Sequence, residues 1–234
     1  MIRLYVNFPL NSAKEVALEE AQSHYLQKVM RLRVGDRVLL FNGKEGEWLA
    51  EIREFKKKQT QLGILSQTAV QSSELDLWML FSPLKPKRQE FLVEKATELG
   101  ATCLWPVQCE RTSIPRINLE KMSFHSREAA EQCGRLTLPE VKSLTSLRKV
   151  LKEWPEERHL LFGDETLTAP SLNEISLDKS KKYAFLVGPE GGFSPQELSL
   201  LRLLPDGQGV TLNSHILRAE TAALVGLSYL KLCL

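Results

Sequence analysis

Two segments late in the chain carry residue types and spacing suited to holding a small ligand: Val187-Gly188-Pro189-Glu190-Gly191-Gly192-Phe193-Ser194 and Leu212-Asn213-Ser214-His215-Ile216-Leu217-Arg218-Ala219-Glu220-Thr221. The three glycines and the proline of the first give a backbone that turns sharply and lets a ligand reach amide and carbonyl groups with no side chain in the way. No lysine or arginine lies inside that turn, so it suits a ligand without phosphates, held by backbone hydrogen bonds. Neither Gly-x-Gly-x-x-Gly nor Gly-x-x-x-x-Gly-Lys-Ser/Thr occurs, which disfavours a dinucleotide and a nucleoside triphosphate. The second segment brings a cation, Arg218, and a carboxylate, Glu220, to the start of a helix-like run.

Both segments follow apolar strand-like runs and open helices. Ser194 is placed to cap a helix, Pro195 suits its first position, and Glu197 completes a capping box. From residue 73 onward the rhythm is strand and helix in alternation, with strands over 75–81, 103–107, 160–162, 183–187 and 210–212 and helices over 88–99, 119–133, 194–204 and 216–230. That alternation predicts a mostly parallel sheet covered by helices, with ligands outside the carboxyl ends of its strands.

The first 70 or so residues read differently, with short strands over 2–6, 37–41, 47–52 and 61–65 separated by turn signals at Asn42-Gly43 and Gly46. This is a small β-rich barrel or sandwich, interrupted by one helix over 15–30 in which His24 reads as a buried support. The polar stretch 66–73 suits a linker, so the expected domains are 1–72 and 73–234.

The 31 basic and 29 acidic residues leave a net charge of +2, so any nucleic-acid contact must come from local patches. Cys103, Cys109, Cys133 and Cys233 form no Cys-x-x-Cys pair and the four histidines are scattered, so no metal is expected. The beginning of the chain lacks the layout of a signal peptide, and no apolar stretch is long enough to span a bilayer, which points to a cytoplasmic protein with reduced thiols and no membrane partner.

Gly188-Pro189-Glu190-Gly191-Gly192-Phe193-Ser194 with Glu197, and Ile216-Leu217-Arg218-Ala219-Glu220-Thr221-Ala222, resemble the glycine motif and the last motif of the ribosomal RNA small subunit methyltransferase E family, within the SPOUT class. Lys95-Ala96-Thr97-Glu98-Leu99-Gly100, Glu110-Arg111 and Glu128-Ala129-Ala130-Glu131-Gln132-Cys133-Gly134-Arg135 resemble its signatures upstream, and 24–36 resembles its PUA-like RNA-binding domain. The resemblance implies an α/β fold with a C-terminal, trefoil-knotted SPOUT methyltransferase domain behind a small β-rich PUA-like barrel. It also implies S-adenosyl-L-methionine (AdoMet) as cofactor, a homodimer, and methylation of uridine N3 in 16S rRNA on the small ribosomal subunit.

The resemblance assigns cofactor contacts to Leu186, Gly188, Glu190, Gly191, Gly192, Leu212, Ile216 and Leu217, with a third wall from 162–166. Methylating N3 requires a base, a cation and alignment. Arg218 is the candidate for the uracil carbonyls or a phosphate, Glu220 either fixes that arginine or accepts a proton, and Glu190 is a second candidate base. RNA contacts fall to Arg31, Arg33, Lys85, Lys87, Arg88, Arg111 and Arg135, with 56–58 a further lysine run. Where the family has leucine, glycine, any residue and arginine, this chain has Leu212-Asn213-Ser214-His215. Asparagine tolerates a left-handed backbone, whereas histidine withdraws a permanent charge. Two other readings stay open: methylation of another RNA such as tRNA, and a noncatalytic RNA-binding assembly factor.

Overall fold

The computed structural model describes residues 1–11 and 15–234, which form two compact units. The first comprises Met1–Ser73 with Ala130–Leu138. Among the described residues its sheet has five strands: β1 (Arg3–Tyr5), β2 (Glu15–Ala17), β3 (Arg37–Phe41), β4 (Glu47–Phe55) and β5 (Thr60–Ala69), in the order β1-β3-β4-β5-β2. β1 runs parallel to β3 and the other pairings are antiparallel. Alternation fixes the inner face: Val38 and Leu40 of β3, Ala50 and Ile52 of β4, and Leu62 of β5 are fully buried.

A helix does not fill 15–30. Val16 pairs with Leu62 as the buried residue of edge strand β2, a helix α1 (Glu20–His24) follows, and a π-helical turn covers Tyr25–Val29. Residues 12–14 lie outside the described residues. His24 is exposed; Leu26 is the fully buried support instead. The expected linker also begins later, because Gln67 and Ala69 still pair with Trp48 and Glu47. Arg3 donates to the carbonyls of Ala130 at 2.7 Å and Arg135 at 2.9 Å, and lies 2.6 Å from Glu47. A single buried cation thus collects the return segment into this unit, a long-range device that a linear division at residue 72 does not carry.

The second unit, Glu74–Ala129 with Pro139–Leu234, holds β6 (Leu77–Phe81), β7 (Cys103–Gln108), β8 (Glu140–Val141), β9 (Thr145–Ser146), β10 (Arg158–Gly163), β11 (Lys182–Val187) and β12 (Gly207–Val210). Every pairing is parallel, in the order β12-β10-β11-β6-β7-β8, with β9 also on β7. Its helices are α2 (Pro86–Glu98), α3 (Leu119–Cys133, whose last four residues fall in the first unit), α4 (Leu147–Lys152), α5 (Pro195–Leu203) and α6 (Ala219–Cys233).

The continuous apolar run of β11 serves two cores at once. Tyr183, Phe185 and Val187 face α2 and α6, through Leu92, Ala96, Ala223 and Leu227, while Ala184 and Leu186 face α4 and α5, through Val150 and Leu201. A Cβ on Gly226 would lie 2.3 Å from the Phe185 ring, so α6 approaches the sheet as closely as a glycine permits. Helix α6 begins at Ala219, three residues later than its apolar run, which leaves 216–218 as extended loop.

Candidate active site

Four neighbouring strands, β12, β10, β11 and β6, send the segments after their carboxyl ends to one place. There the loop 163–167, the glycine turn 187–192, the segment 210–219 and the start of α2 enclose a cavity of about 350 Å³.

The glycine turn is fixed from three sides. Gly192 has φ +70° and its N–H donates to the Pro189 carbonyl at 2.9 Å. The next amide, of Phe193, donates to Glu165 Oε1 at 3.1 Å, and Arg111 Nη1 donates to the Gly191 carbonyl at 2.9 Å. Beyond it the capping box forms as the sequence predicts, Ser194 Oγ accepting from the Glu197 N–H and Glu197 Oε2 accepting from the Ser194 N–H. Glu197 Oε1 also accepts from the Glu110 N–H at 2.7 Å, which ties the helix start to the Cys109-Glu110-Arg111 corner.

The adjoining wall carries Asp164, which is 3% exposed. Burial alone would raise its carboxyl; the Thr166 hydroxyl and Arg202, at 2.6 and 2.7 Å, together with the Thr166 amide, hold it below the usual aspartate value. In the segment after β12, Thr211 is tied to Ser171 by a single bridge, and Asn213 Oδ1 accepts from the Ser214 N–H at 2.9 Å. Asn213 does not adopt a left-handed backbone; Arg31 and Leu167 are the non-glycine residues that do among those described.

The charges form one bridge. Arg88, on the first turn of α2, pairs with Glu190 through Nη1 and lies 3.6 Å from Glu220 through Nε. The Glu220 side chain is 13% exposed and its Oε2 is buried without a hydrogen-bond partner. Lys85 and Arg218 also line the cavity, are exposed, and make no ion pair among the described residues.

The sequence profile of the RNA methyltransferase domain family matches residues 71–231, and that of the RNA methyltransferase PUA domain family matches 18–65. The chain is 32% identical to the ribosomal RNA small subunit methyltransferase E of Rickettsia conorii over 98% of its own length and 95% of the relative's. The chain belongs to the ribosomal RNA small subunit methyltransferase E family. The Synechocystis member is 37% identical over 91% of this chain and 71% of its own. The crystal structure of the Neisseria gonorrhoeae member, bound to S-adenosyl methionine, superposes with a TM-score of 0.91 at 29% identity, covering 99% of this chain and 97% of that one.

In this member of the family, the cavity gathers Gly188, Glu190, Gly192, Leu212, Ile216, Leu217 and Arg218 from the expected site, with Gly163, Asp164 and Glu165 from the third wall. Leu186 is not on it, since its side chain is fully buried between sheet and helices, and Gly191 turns toward Arg111. Glu220 stands behind Arg88 rather than on the wall, and the arginine it faces is Arg88, not Arg218. Of the expected RNA contacts, Lys85 and Arg88 line the cavity, Lys87 is exposed outside it, and Arg111 braces the glycine turn. Arg31, Arg33 and Arg135 belong to the first unit, where the first two are exposed. Lys56 and Lys58 pair with Glu54 and Glu20, as on a solvated face. Leu167, Val210, Ala219 and Ala222 also line it without having been assigned a role; Ala219 and Ala222 lie within the last motif and Val210 in the strand run before it, whereas Leu167, in the polar loop after β10, carried no signal.

Proposed function

We propose that this chain uses AdoMet to methylate N3 of a uridine in 16S rRNA on the assembled small ribosomal subunit, acting as a homodimer in the cytoplasm. The observation that carries the reading is the cavity itself, with a side-chain-free glycine wall, an apolar wall and a cation at its mouth. The residues present fit the cofactor. Val187, Val210, Leu212 and Leu217 offer apolar surface to an adenine, while the Asp164, Glu165 and Glu190 carboxylates oppose the charges of an ammonium and a sulfonium. A Cβ on Gly192 would fall 1.9 Å from Glu165 Oε1 and push that carboxylate aside, so glycine keeps this wall free of a side chain. The reading extends to the trefoil knot, supported by the two motif segments facing one cavity.

Bound there, the cofactor supplies a methyl group on a positively charged sulfur. The residues of the chain supply the rest. As the N3–C bond forms and the C–S bond breaks, the N3 proton must leave and negative charge builds on O2 and O4 of the uracil. Arg218 makes no ion pair among the described residues and stands at the helix start, where it offsets that charge. Glu190 receives the proton, and Arg88 orients its carboxylate. Glu220 holds Arg88 from the other side and so acts as a positioning residue. Arg31, Arg33, Lys87 and Arg135 contribute RNA affinity.

The test is transfer of labelled methyl from AdoMet to purified small subunits, followed by nucleoside mass spectrometry. Label in 3-methyluridine of 16S rRNA is the expected result. Label in tRNA would move the substrate, and AdoMet binding with no transfer to either RNA would overturn the enzymatic reading.

A further inference from the structure

A second cavity, of about 300 Å³, is lined by a different face of the start of α2 and shares no residue with the site above. Its floor is apolar: Leu84, Val93 and Met122 are at most 3% exposed, and Ile114 and Ile117 close the sides. Its mouth is not. Arg116 and Lys121 are exposed there and make no ion pair among the described residues. Two amides, Gln89 and Asn118, reach the rim, and Asn118 spends only its Oδ1, on the Lys121 N–H at 2.8 Å. On the inner wall the Nε2 of His125 is buried with no hydrogen-bond partner; the nearest carboxylate oxygen, of Glu90, is 3.7 Å away, beyond hydrogen-bonding range. A buried polar atom left open beside a cavity marks a place where a ligand or water completes the bonding.

An apolar slot with amides at its edge and cations at its mouth has the chemistry of an unpaired nucleobase carrying its phosphate. Asn and Gln amides pair with base edges, apolar and aromatic surfaces receive the base plane, and Arg and Lys take the phosphate. Among the described lining residues Glu90 is the one carboxylate, 3.7 Å from His125 Nε2, and Glu128 lies 3.6 Å from the other ring nitrogen. The first turns of α2 separate this slot from the larger cavity: Lys85 and Arg88 line one, Pro86, Gln89 and Val93 the other. With side chains a helix is about 10 Å across, so both cavities lie within reach of one short single strand.

We infer that this second cavity binds an unpaired nucleotide flanking the target base, with Arg116 and Lys121 on its phosphate and Gln89 on its base edge. For its class of ligand this rests on the RNA methyltransferase reading above. Met122 lines the slot and is 2% exposed, so its methyl resonance reports occupancy directly. The full-length protein, saturated with AdoMet, is titrated with each of the four nucleoside 5′-monophosphates. A saturable shift of Met122 is expected with at least one of them, lost in both Arg116→Ala and Gln89→Leu. On small subunits the same variants raise KM about tenfold at unchanged kcat, and Arg116→Ala lowers the salt slope of binding by about 1. Failure of the wild-type protein to methylate rRNA, with the Met122 shift intact, would remove the proposed reaction and leave the nucleotide site standing. A Met122 resonance unmoved by all four nucleotides overturns the inference. So does dissociation of a dimer in Arg116→Ala by sedimentation, which would assign the slot to a second copy of the chain.

Discussion

The strongest test of how the glycine turn is built is Gly192→Ala. Two costs follow from its geometry. A φ of +70° strains any residue with a Cβ, at about 1–2 kcal/mol for a left-handed conformation. The added Cβ would also lie 1.9 Å from Glu165 Oε1 and 2.8 Å from its Cδ, so the carboxylate must swing away and abandon the Phe193 N–H. A hydrogen bond to a charged acceptor contributes about 1.5–3 kcal/mol, and Glu165 is only partly buried, so the low end applies. Alanine recovers about 0.4–1 kcal/mol by restricting the unfolded chain, which leaves a net loss of about 1.5–3 kcal/mol.

Calorimetric unfolding of the variant should therefore show a melting temperature about 3–12 °C lower, the range for a chain of this size. AdoMet titration should show affinity reduced at least about tenfold, equivalent to roughly 1.4 kcal/mol. The clash and the backbone strain separate in a cycle with Glu165→Ala. In that background the Cβ meets nothing at Glu165, and Gly192→Ala should cost only the backbone strain less the same unfolded-chain gain, about 0–1.6 kcal/mol. Equal costs in both backgrounds would refute the role of the Glu165 contact. Unchanged melting and unchanged AdoMet affinity in the single variant would refute the account of the turn altogether.

Arg218→Ser removes the free cation and installs a preferred helix cap, so methyl transfer should fall about 10²–10³-fold while AdoMet affinity holds and stability rises by about 1 kcal/mol; a fully active variant sinks the role of Arg218. Arg88→Ala should destabilise by about 1–3 kcal/mol by leaving Glu220 without its ion pair, and Glu220→Gln should recover part of that loss; strictly additive denaturation energies would argue against the bridge. Asp76→Ala strips the fully buried Arg158 of a 2.6 Å ion pair and should cost about 1–3 kcal/mol, less than a wholly buried pair because Asp76 is partly exposed. Burial would raise the Asp76 carboxyl, but the Arg158 hydrogen bond and charge hold it below the usual value, so its contribution is present above about pH 4 and disappears as pH falls through the depressed value. Urea denaturation at neutral and at strongly acidic pH should accordingly show the gap between variant and wild type closing in acid, and a gap constant with pH would contradict the ionic origin.

The sequence revealed the elements whose own residues decide their structure. The β11 run, the Ser194 capping box and the 119–133 helix are local signals, and each stands where it was expected. Where a neighbour decides, the reading failed. Strand β2 has one buried side chain, Val16, and exists because β5 offers it a partner. The end of β5 is polar because it is exposed, and the ladder to β4 keeps it extended. The π-helical turn after α1 interrupts a pattern that reads as continuous helix. In the site, the walls were legible because strand ends and glycines mark them. The partners were not: Arg88 and Glu190 are 102 residues apart, and no periodicity connects them.

The placement of the free cations supports a functional explanation over a structural one. Lys85 is the N-cap of α2 and Arg218 the N-cap of α6, and neither side chain caps its helix. That position favours serine, threonine or aspartate, and the helix dipole disfavours a positive charge there. Both residues therefore cost stability where they stand. Arg88, one turn into α2, is already paired with Glu190 and close to Glu220, so it supplies no free charge to a substrate. Lys85 and Arg218 make no ion pair among the described residues and stand at two helix starts that open on the same cavity. There the amide groups of the helix starts and the side-chain cations add to one positive field, and the group that such a field stabilises is an anion: a phosphate of the RNA, or the charge that develops on the uracil oxygens.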